Sequence, residues 1–296
     1  MYFPAIQSLR FLFILLIVAS HLSIIRLPQF DAGGDCGVAF FFVLSGLVTW
    51  LSRHQSVENG TFSTKEYLRQ RIHKVLWLHI GTWALINLLN HNWDYFVHSL
   101  PALFLVQSWI PQSDIYFGGN PVSWFLSDLL LAWILFPVLC RIVQQKWLVP
   151  VLVMAYVLIV VLLPEEWMGR CLYILYICPP VRLLDFLLGM ALGRWITETS
   201  ANASHVGLLP NLCAILGTLG IVAGLVFYDN IGPQYRTACF FWPFILALLY
   251  AVCRDASCLR FLRQKTLVAL GQWSLILYMT HLLALKIIRI GLDRWF

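Results

Sequence analysis

The stretch QSLRFLFILLIVASHLSII at residues 7–25 decides the fold class of this chain. It is almost entirely apolar and has the length of about 20 residues that a helix needs to cross a bilayer. Comparable apolar stretches follow at 36–52, 75–92, 122–140, 147–163, 171–193, 207–227, 237–253 and 267–290. Because backbone polar groups in lipid must be paired within helices, the sequence predicts an all-α, polytopic transmembrane helical bundle with about nine or ten spans.

The composition excludes a soluble protein. Of the 296 residues, 60% are hydrophobic and only 11% are charged, whereas a soluble domain carries roughly 25% charged residues. The stretch 7–25 lacks a preceding basic region and a small-residue cleavage site, so we interpret it as a retained first helix rather than a signal peptide. We therefore expect a single integral membrane domain over 1–296, with no soluble domain.

The segment 97–110 determines the predicted orientation of the chain. It is short and contains Pro101, so we expect it to be re-entrant or interfacial rather than spanning. With a cytoplasmic N-terminus, twelve Lys and Arg residues then fall on the inner side and six on the outer side. A crossing at 97–110 would change this division to ten and eight, which satisfies the positive-inside rule less well. The sequence thus predicts a multi-pass protein of the cell (inner) membrane.

The net charge of +6 and the eight cysteines add little to the functional assignment. The basic residues belong to the predicted inner loops, which favours membrane lipids or an acidic cofactor as partners and not a nucleic acid. The cysteines show no C-x-x-C spacing and no clustering with His, so no metal site is predicted.

Two ionisable residues stand out in the first apolar stretch. Arg10 and His21 are eleven positions apart, which at 100° per residue places them on one face of a continuous helix, roughly 16 Å apart along its axis. Charged groups inside a bilayer are costly and tend to face a cavity or a partner. On this evidence alone, His21 is either functional or packed against a neighbouring helix, and Arg10 is either functional or extended towards the lipid headgroups.

Two further sequences, 33–46 and 123–128, bring acidic residues to helix ends. In GGDCGVAFFFVLSG at 33–46, the first two glycines permit a tight turn with Asp35 at its apex, and Ser45 and Gly46 allow a close helix contact. A nucleophilic role for Ser45 is the alternative. In SWFLSD at 123–128, Asp128 lies one turn beyond Trp124, where it either orients a histidine or binds a substrate hydroxyl, or pairs locally.

The sequence PPVRLLDFLLG at 179–189 combines two prolines with two opposite charges. Arg182 and Asp185 are three positions apart and can pair on one helix face. Irregular backbone at membrane depth is tolerated where it is buried in protein or lines a cavity. The pair is therefore either part of a cavity wall or a structural ion pair.

Residues 6–50 resemble the opening of the membrane-bound acyltransferase family 3, in which an R-x10-H first helix precedes a GG-x-GV-x-L-FF-V-LSG sequence. Arg10 and His21 supply the R-x10-H element. The similarity continues in order through YLRQRIHKVLW at 67–77, SWFLS at 123–127, RLLDFLLGM at 182–190, the R-x-x-R pair Arg260 and Arg263, and WSLILYMTH at 273–281. It covers nearly the whole chain, and the combination of motifs in sequence order is specific.

The resemblance implies an O-acyltransferase of the cell envelope. Such proteins transfer an acyl group, usually acetyl, from cytoplasmic acyl-CoA to a hydroxyl of an extracytoplasmic carbohydrate or lipid-linked sugar, as in O-acetylation of polysaccharides. Acyl-CoA, most simply acetyl-CoA, is then a co-substrate, and no permanently bound cofactor is expected. We expect no fused extracytoplasmic domain, so we expect transfer to be either direct or assisted by a separate envelope partner protein.

The resemblance also suggests roles for individual residues. His21 is the expected base or transient acyl carrier, since imidazole exchanges protons near neutrality. Asp35 or Asp128 would orient its ring. Arginine is well suited to bind the phosphates of CoA, and we assign this role to Arg10, Arg260 and Arg263. The expected acceptor-binding residues are Trp124, Arg182, Asp185 and His281.

The chain departs from the family pattern at one informative position. Many relatives carry Glu where this chain has Leu129, and Asp128 stands one position early. Two rival hypotheses remain at this stage. One is a transporter or flippase for a lipid-linked sugar or small solute that uses Arg182 and Asp185, and the other is a non-catalytic membrane scaffold.

Overall fold

The computed structural model describes residues 3–162, 173–199 and 207–295, and these ranges form helices and turns without a β-strand. The predicted all-α class is thereby confirmed. The α-helices are α1 Pro4–Ala19, α2 Ala32–Glu58, α3 Thr64–Asn90, α4 Trp93–Leu103, α5 Ser113–Tyr116, α6 Trp124–Gln144, α7 Leu148–Leu162, α8 Pro179–Thr199, α9 Leu208–Val226, α10 Pro233–Ala238, α11 Trp242–Cys253, α12 Lys265–Gln272 and α13 Ser274–Trp295. Short 3₁₀ turns connect several of them.

The predicted nine or ten spans are not confirmed. In the described ranges, six helical stretches are long and apolar enough to cross a membrane: Ala32–Glu58, Thr64–Asn90, Pro121–Gln144, Leu208–Val226, Pro233–Cys253 and Ser274–Arg294. Helices α1 and α7 are apolar but have only 16 and 15 residues. Six such stretches still make this a multi-pass membrane protein. Residue 163 of the predicted span 147–163 and residues 171–172 of the span 171–193 lie outside the described residues.

The helical boundaries show where the described helices differ from the predicted spans. The predicted span 267–290 is divided at Trp273 between α12 and α13, so its first part is a separate eight-residue helix. Helix α8 has 21 residues but carries two ion pairs, Arg182–Asp185 and Arg194–Glu198. Hydropathy alone does not distinguish a lipid-facing helix from one that is buried inside the protein.

The segment 97–110 does not form a helix of spanning length. Helix α4 contains Pro101 and ends two residues later, and a 3₁₀ turn at Gln107–Trp109 follows. Helix α4 is fastened to α3 by two buried contacts: His79 Nε2 lies 2.9 Å from the Ala102 carbonyl, and the Trp83 indole donates to the Ser99 carbonyl over 2.9 Å. The chain therefore returns along α3 through short helices.

Helices α2 and α8 cross in close backbone contact at two glycines. A Cβ atom added to Gly46 would lie 1.9 Å from the Phe186 carbonyl oxygen, and one added to Gly189 would lie 1.8 Å from that of Val43. Neither position therefore has room for a larger residue. Small residues commonly permit such approach between membrane helices, and the predicted close contact at Gly46 is confirmed.

The start of α2 corrects the predicted turn at Gly33–Gly34. Both glycines and Asp35 lie in the first turns of a helix that begins at Ala32. A Cβ atom on Gly33 would lie 2.2 Å from the Leu16 carbonyl oxygen. Gly33 is thus required by the close packing of α2 against α1, and Asp35 is not at the apex of a turn.

Helix α1 is shorter than predicted, which changes the relation of His21 to Arg10. The helix ends at Ala19, and a 3₁₀ turn occupies Leu22–Ile25. His21 lies between these two elements, so it does not share a continuous helical face with Arg10. Both residues remain on the same segment, but the prediction of one common face is wrong.

Candidate functional site

The centre of the candidate site is a pair of histidines from opposite ends of the chain. The ring centroids of His21 and His281 lie 5.1 Å apart with the planes inclined by 62°, which is an edge-to-face arrangement. His281 is buried on α13, and His21 is half-buried after α1. The sequence predicted separate roles for these residues, and the fold brings them together.

Each histidine of this pair is oriented by a backbone carbonyl. His21 Nδ1 lies 2.8 Å from the Ile17 carbonyl, and His281 Nδ1 lies 2.8 Å from that of Tyr278. A carbonyl only accepts hydrogen bonds, so each Nδ1 carries the proton and each Nε2 has a free lone pair. Burial lowers the pKa of His21, which lies outside the candidate membrane-spanning helices, because the imidazolium loses solvation. His21 is therefore neutral near pH 7 and able to accept a proton.

A cavity of about 330 Å³ lies between α1, α2, α3, α6 and α13. Its walls are mainly apolar and include Phe41, Leu44, Val48, Val75, Phe125, Leu126 and Trp133. This volume is at the lower end of the roughly 300–1,000 Å³ of ligand pockets. The cavity accommodates a slender apolar group more readily than a bulky one.

Three basic side chains line this cavity: Arg10, Arg71 and Lys74. None of them forms an ion pair with a carboxylate within the described ranges; Arg10 donates to the Gln7 side chain over 3.1 Å. The Arg71 guanidinium lies over the ring of Tyr67 at 5.2 Å. We refer to these three residues as the basic cluster. Unneutralised positive charge beside an apolar cavity is suited to an anionic ligand with an apolar arm.

Tyr278 connects the cavity to the histidine pair. It lines the cavity, and its ring centroid lies 6.2 Å from that of His281. Its hydroxyl donates to the Val122 carbonyl over 2.7 Å, which holds the ring in place. The basic cluster, the apolar cavity, Tyr278 and the two imidazoles therefore form a connected series of sites.

The two predicted orienting carboxylates have other surroundings. The Tyr228 hydroxyl donates to Asp35 Oδ2 over 2.5 Å. Asp128 is buried, and neither of its carboxylate oxygens makes a hydrogen bond with the described part of the chain, although the Ser108 hydroxyl lies near. No hydrogen bond or ion pair joins either carboxylate to His21 in those ranges. The Ile17 carbonyl, not a carboxylate, orients the ring of His21.

The departure from the family pattern at Leu129 has a structural counterpart. Leu129 lines the cavity, whereas the neighbouring Asp128 is not among the cavity-lining residues. Successive helical residues point about 100° apart. Moving the carboxylate by one position therefore removes it from the cavity and makes this part of the wall apolar.

Arg182 and Asp185 form the ion pair that their spacing indicated, with Nη1 and Oδ2 3.0 Å apart and both side chains buried. The other hydrogen-bonding groups of the two side chains also bind protein groups. The Arg182 guanidinium also donates to the carbonyls of Tyr176 and Thr237, and the Trp242 indole donates to Asp185 over 2.5 Å. These bonds connect α8 to α10, α11 and the turn at 173–177, and neither residue lines the cavity.

The remaining predicted residues lie outside the cavity. Trp124 is buried, with its ring 5.1 Å from that of Tyr176. Arg260 and Arg263 are exposed on the 3₁₀ turn Ser257–Arg263, where Arg263 pairs with Asp255. This turn is attached to α1 because the Ser8 hydroxyl donates to the Leu262 carbonyl over 2.5 Å. The two arginines are therefore close in the fold to the end of α1 that borders the cavity.

Arg71 and Lys74 were not assigned a role from the sequence. Both lie in the basic segment RQRIHK, which was attributed to the positive inner loops. Their three-residue spacing on a helix gave the relevant signal, because it places both side chains on one face. Exposed Arg69, in the same segment, pairs with Glu66 instead.

The chain matches the family model for the acyltransferase domain Acyl_transf_3 over residues 3–296. It therefore belongs to this acyltransferase family, as the sequence motifs predicted. Among curated proteins it is similar to Acyltransferase MdmB of Streptomyces mycarofaciens, with 26% identity over 325 residues that cover 96% of this chain and 79% of the relative. No solved structure matches the chain. The family and this relative support acyl transfer as the reaction.

Proposed function

We propose that this protein transfers an acyl group, most simply acetyl, from acyl-CoA to a hydroxyl of an extracytoplasmic carbohydrate or lipid-linked sugar. The observation that carries the proposal is the cavity, which is bordered by the basic cluster and connected through Tyr278 to the histidine pair. An acyl-CoA molecule has the same sequence of properties: phosphates, a slender arm and a reactive thioester. We propose that it acts as a co-substrate, without a permanently bound cofactor.

Donor binding in this proposal uses the basic cluster. Arg10, Arg71 and Lys74 neutralise CoA phosphates, and the pantetheine arm occupies the apolar cavity. Arginine binds phosphate with two parallel hydrogen bonds. Exposed Arg260 and Arg263 add a weaker, outer contact with the nucleotide. Because acyl-CoA is cytoplasmic, we propose that the N-terminus of α1 lies at the cytoplasmic face of the inner membrane.

The chemical step in this proposal uses His21 as the general base. Its free Nε2 removes the proton of the acceptor hydroxyl while the oxygen attacks the thioester carbonyl. The new C–O bond forms, the C–S bond breaks, and the proton must reach the departing sulfur. A positioned general base contributes about 10²- to 10⁴-fold to a rate. Asp128 and Trp124 are proposed for the acceptor side, where the Asp128 oxygens are available to accept hydrogen bonds from substrate hydroxyls.

The test compares cells that produce the wild-type protein with cells that produce His21→Ala or His21→Gln at equal membrane levels. The measurement is base-labile O-acyl ester on isolated envelope glycans and lipids, by mass spectrometry. His98→Ala is the matched control, because His98 is an exposed histidine on α4. We expect ester with the wild type and the control and none with either His21 variant.

Two outcomes would contradict this proposal. An equal ester load in the wild type and the His21 variants would exclude His21 as the base. Absence of label transfer from [¹⁴C]acetyl-CoA to any envelope component by wild-type membranes would exclude acetyl transfer from acetyl-CoA. The modified molecule, once isolated, identifies the acceptor.

A further inference from the structure

His281 has a buried ring nitrogen without a hydrogen-bond partner in the described part of the chain. The side chain is 6% exposed, its Nδ1 is bound to the Tyr278 carbonyl, and its Nε2 has no hydrogen-bond partner in the described part of the chain. A buried polar atom without a hydrogen-bond partner destabilises the folded protein. Such an atom at a candidate active site calls for a functional explanation.

The neighbours of His281 indicate which function its free nitrogen has. The ring of His21 lies 5.1 Å from that of His281 between centroids, and the ring of Tyr278, which borders the cavity, lies 6.2 Å from it. His281 is thus a neighbour both of the proposed base and of a residue that borders the cavity proposed to hold the thioester. Neither neighbour donates a hydrogen bond to its Nε2.

We propose that His281 is the second proton-transfer residue of the reaction, a role that rests on the proposed function and replaces the acceptor-binding role expected from the sequence. His21 Nε2 takes the proton of the acceptor hydroxyl as the C–O bond forms. The protonated His21 then donates to the free Nε2 of His281, which is the acceptor that a buried imidazolium requires.

The relay ends at the sulfur. As the C–S bond breaks, its electron pair leaves with the sulfur, and His281 Nε2–H gives its proton to that thiolate. Both histidines return to the neutral form with Nδ1 protonated, so the overall change is alcohol plus thioester to ester plus thiol. A thiolate in a poorly solvated cavity is costly, which is why a proton donor at this position accelerates the step.

The experiment uses full-length protein in membranes and two ¹⁴C-acetyl donors. One is acetyl-CoA, and the other is an analogue with the same nucleotide and phosphates but an aromatic, more acidic thiol. The variants are His281→Asn, which retains a donor near Nδ1 for the Tyr278 carbonyl, and His281→Gln, which retains a hydrogen-bonding group near Nε2. Thr280→Ala is the control, because the Thr280 hydroxyl is bound to the Ile276 carbonyl of its own helix.

We expect both His281 variants to lower kcat with acetyl-CoA by about 10²-fold or more. The loss should shrink at least tenfold with the aromatic donor, because a stabilised thiolate departs without a proton. Thr280→Ala should behave as the wild type with both donors. Size-exclusion profiles in detergent establish that the variants are folded.

Equal losses with the two donors, or no loss at all, would overturn the proposal, since a structural role does not depend on the leaving group. These results leave the proposed function standing, because the wild type and the control still transfer label. Failure of the wild type to transfer label from either donor would overturn both the proposed function and this inference.

Discussion

Two groups of positive charge in the molecule are treated in opposite ways. Arg182 is buried with Asp185 and is surrounded by carbonyls and the Trp242 indole, so that the pair has protein partners on every side. The basic cluster of Arg10, Arg71 and Lys74 has no carboxylate partner in the described ranges and borders a cavity.

The difference separates charges that hold the fold together from charges that remain available to a ligand. Both groups are expensive to place in a membrane, so cost alone does not indicate function. Function is indicated instead by whether hydrogen-bond acceptors of the protein surround the charged group. The hydrogen-bonding groups of a fully bonded ion pair are occupied by protein groups and cannot bind a substrate. An unneutralised basic cluster that borders a cavity can still bind an anionic ligand.

The largest effect is expected from Arg182→Ala. It leaves Asp185 as an uncompensated buried charge, which destabilises by about 3–5 kcal/mol and should greatly reduce the amount of folded protein. The measurement is thermal stability in detergent by size exclusion. The double variant Arg182→Met with Asp185→Leu removes both charges and should lose less. If the Arg182→Ala protein were as stable as the wild type, the Arg182–Asp185 pair would not stabilise the fold, and its charges would be available to a ligand like those of the basic cluster.

Gly189→Ala tests a second structural feature of α8, its close contact with α2. The added Cβ meets the Val43 carbonyl, and overpacking of this kind costs about 1–3 kcal/mol. Gly81→Ala is the matched control, because nothing lies within 4 Å of a Cβ there. We expect a lower melting temperature for Gly189→Ala only. Equal melting temperatures for the two variants would mean that the α2–α8 contact is not tight.

On the functional side, Arg71→Gln should leave the fold intact and weaken donor binding. Loss of a hydrogen bond to a charged group costs about 1.5–3 kcal/mol, so we expect the KM for acyl-CoA to rise about 10- to 100-fold. Arg69→Gln is the control, since Arg69 is exposed on the same helix and pairs with Glu66. If Arg69→Gln raised the KM as much as Arg71→Gln, general surface charge and not the cavity would control binding.

The smallest effect is expected for Arg260→Gln. Arg260 is exposed outside the cavity, and exposed charges are screened by salt. The KM for acyl-CoA should rise only about 2- to 3-fold, and the rise should disappear at high ionic strength. The KM measured at two salt concentrations tests this. A larger, salt-independent rise would transfer the main phosphate-binding role from the basic cluster to this turn.

The sequence predicted the helical class, the acyltransferase family and the Arg182–Asp185 pair. It also singled out Arg10, because a charge in an apolar stretch is costly, and Arg10 lines the cavity. It did not predict the His21–His281 contact, because 260 positions separate the two residues and only the packing of α13 beside α1 brings them together. Asp35 was one of two carboxylates expected to orient the ring of His21. It lies instead in the first turn of α2, which begins at Ala32, and it accepts a hydrogen bond from the Tyr228 hydroxyl.

Helix α1 has a further consequence through its length. Its 16 residues extend only about 24 Å at 1.5 Å per residue, while the hydrocarbon core is about 30 Å thick. A short apolar helix is accommodated by local thinning of the bilayer. In the proposed topology α1 nevertheless crosses the bilayer, so this hydrophobic mismatch would bring the two aqueous phases closer together beside Arg10 and His21 and would shorten the path of an acyl group from one face to the other.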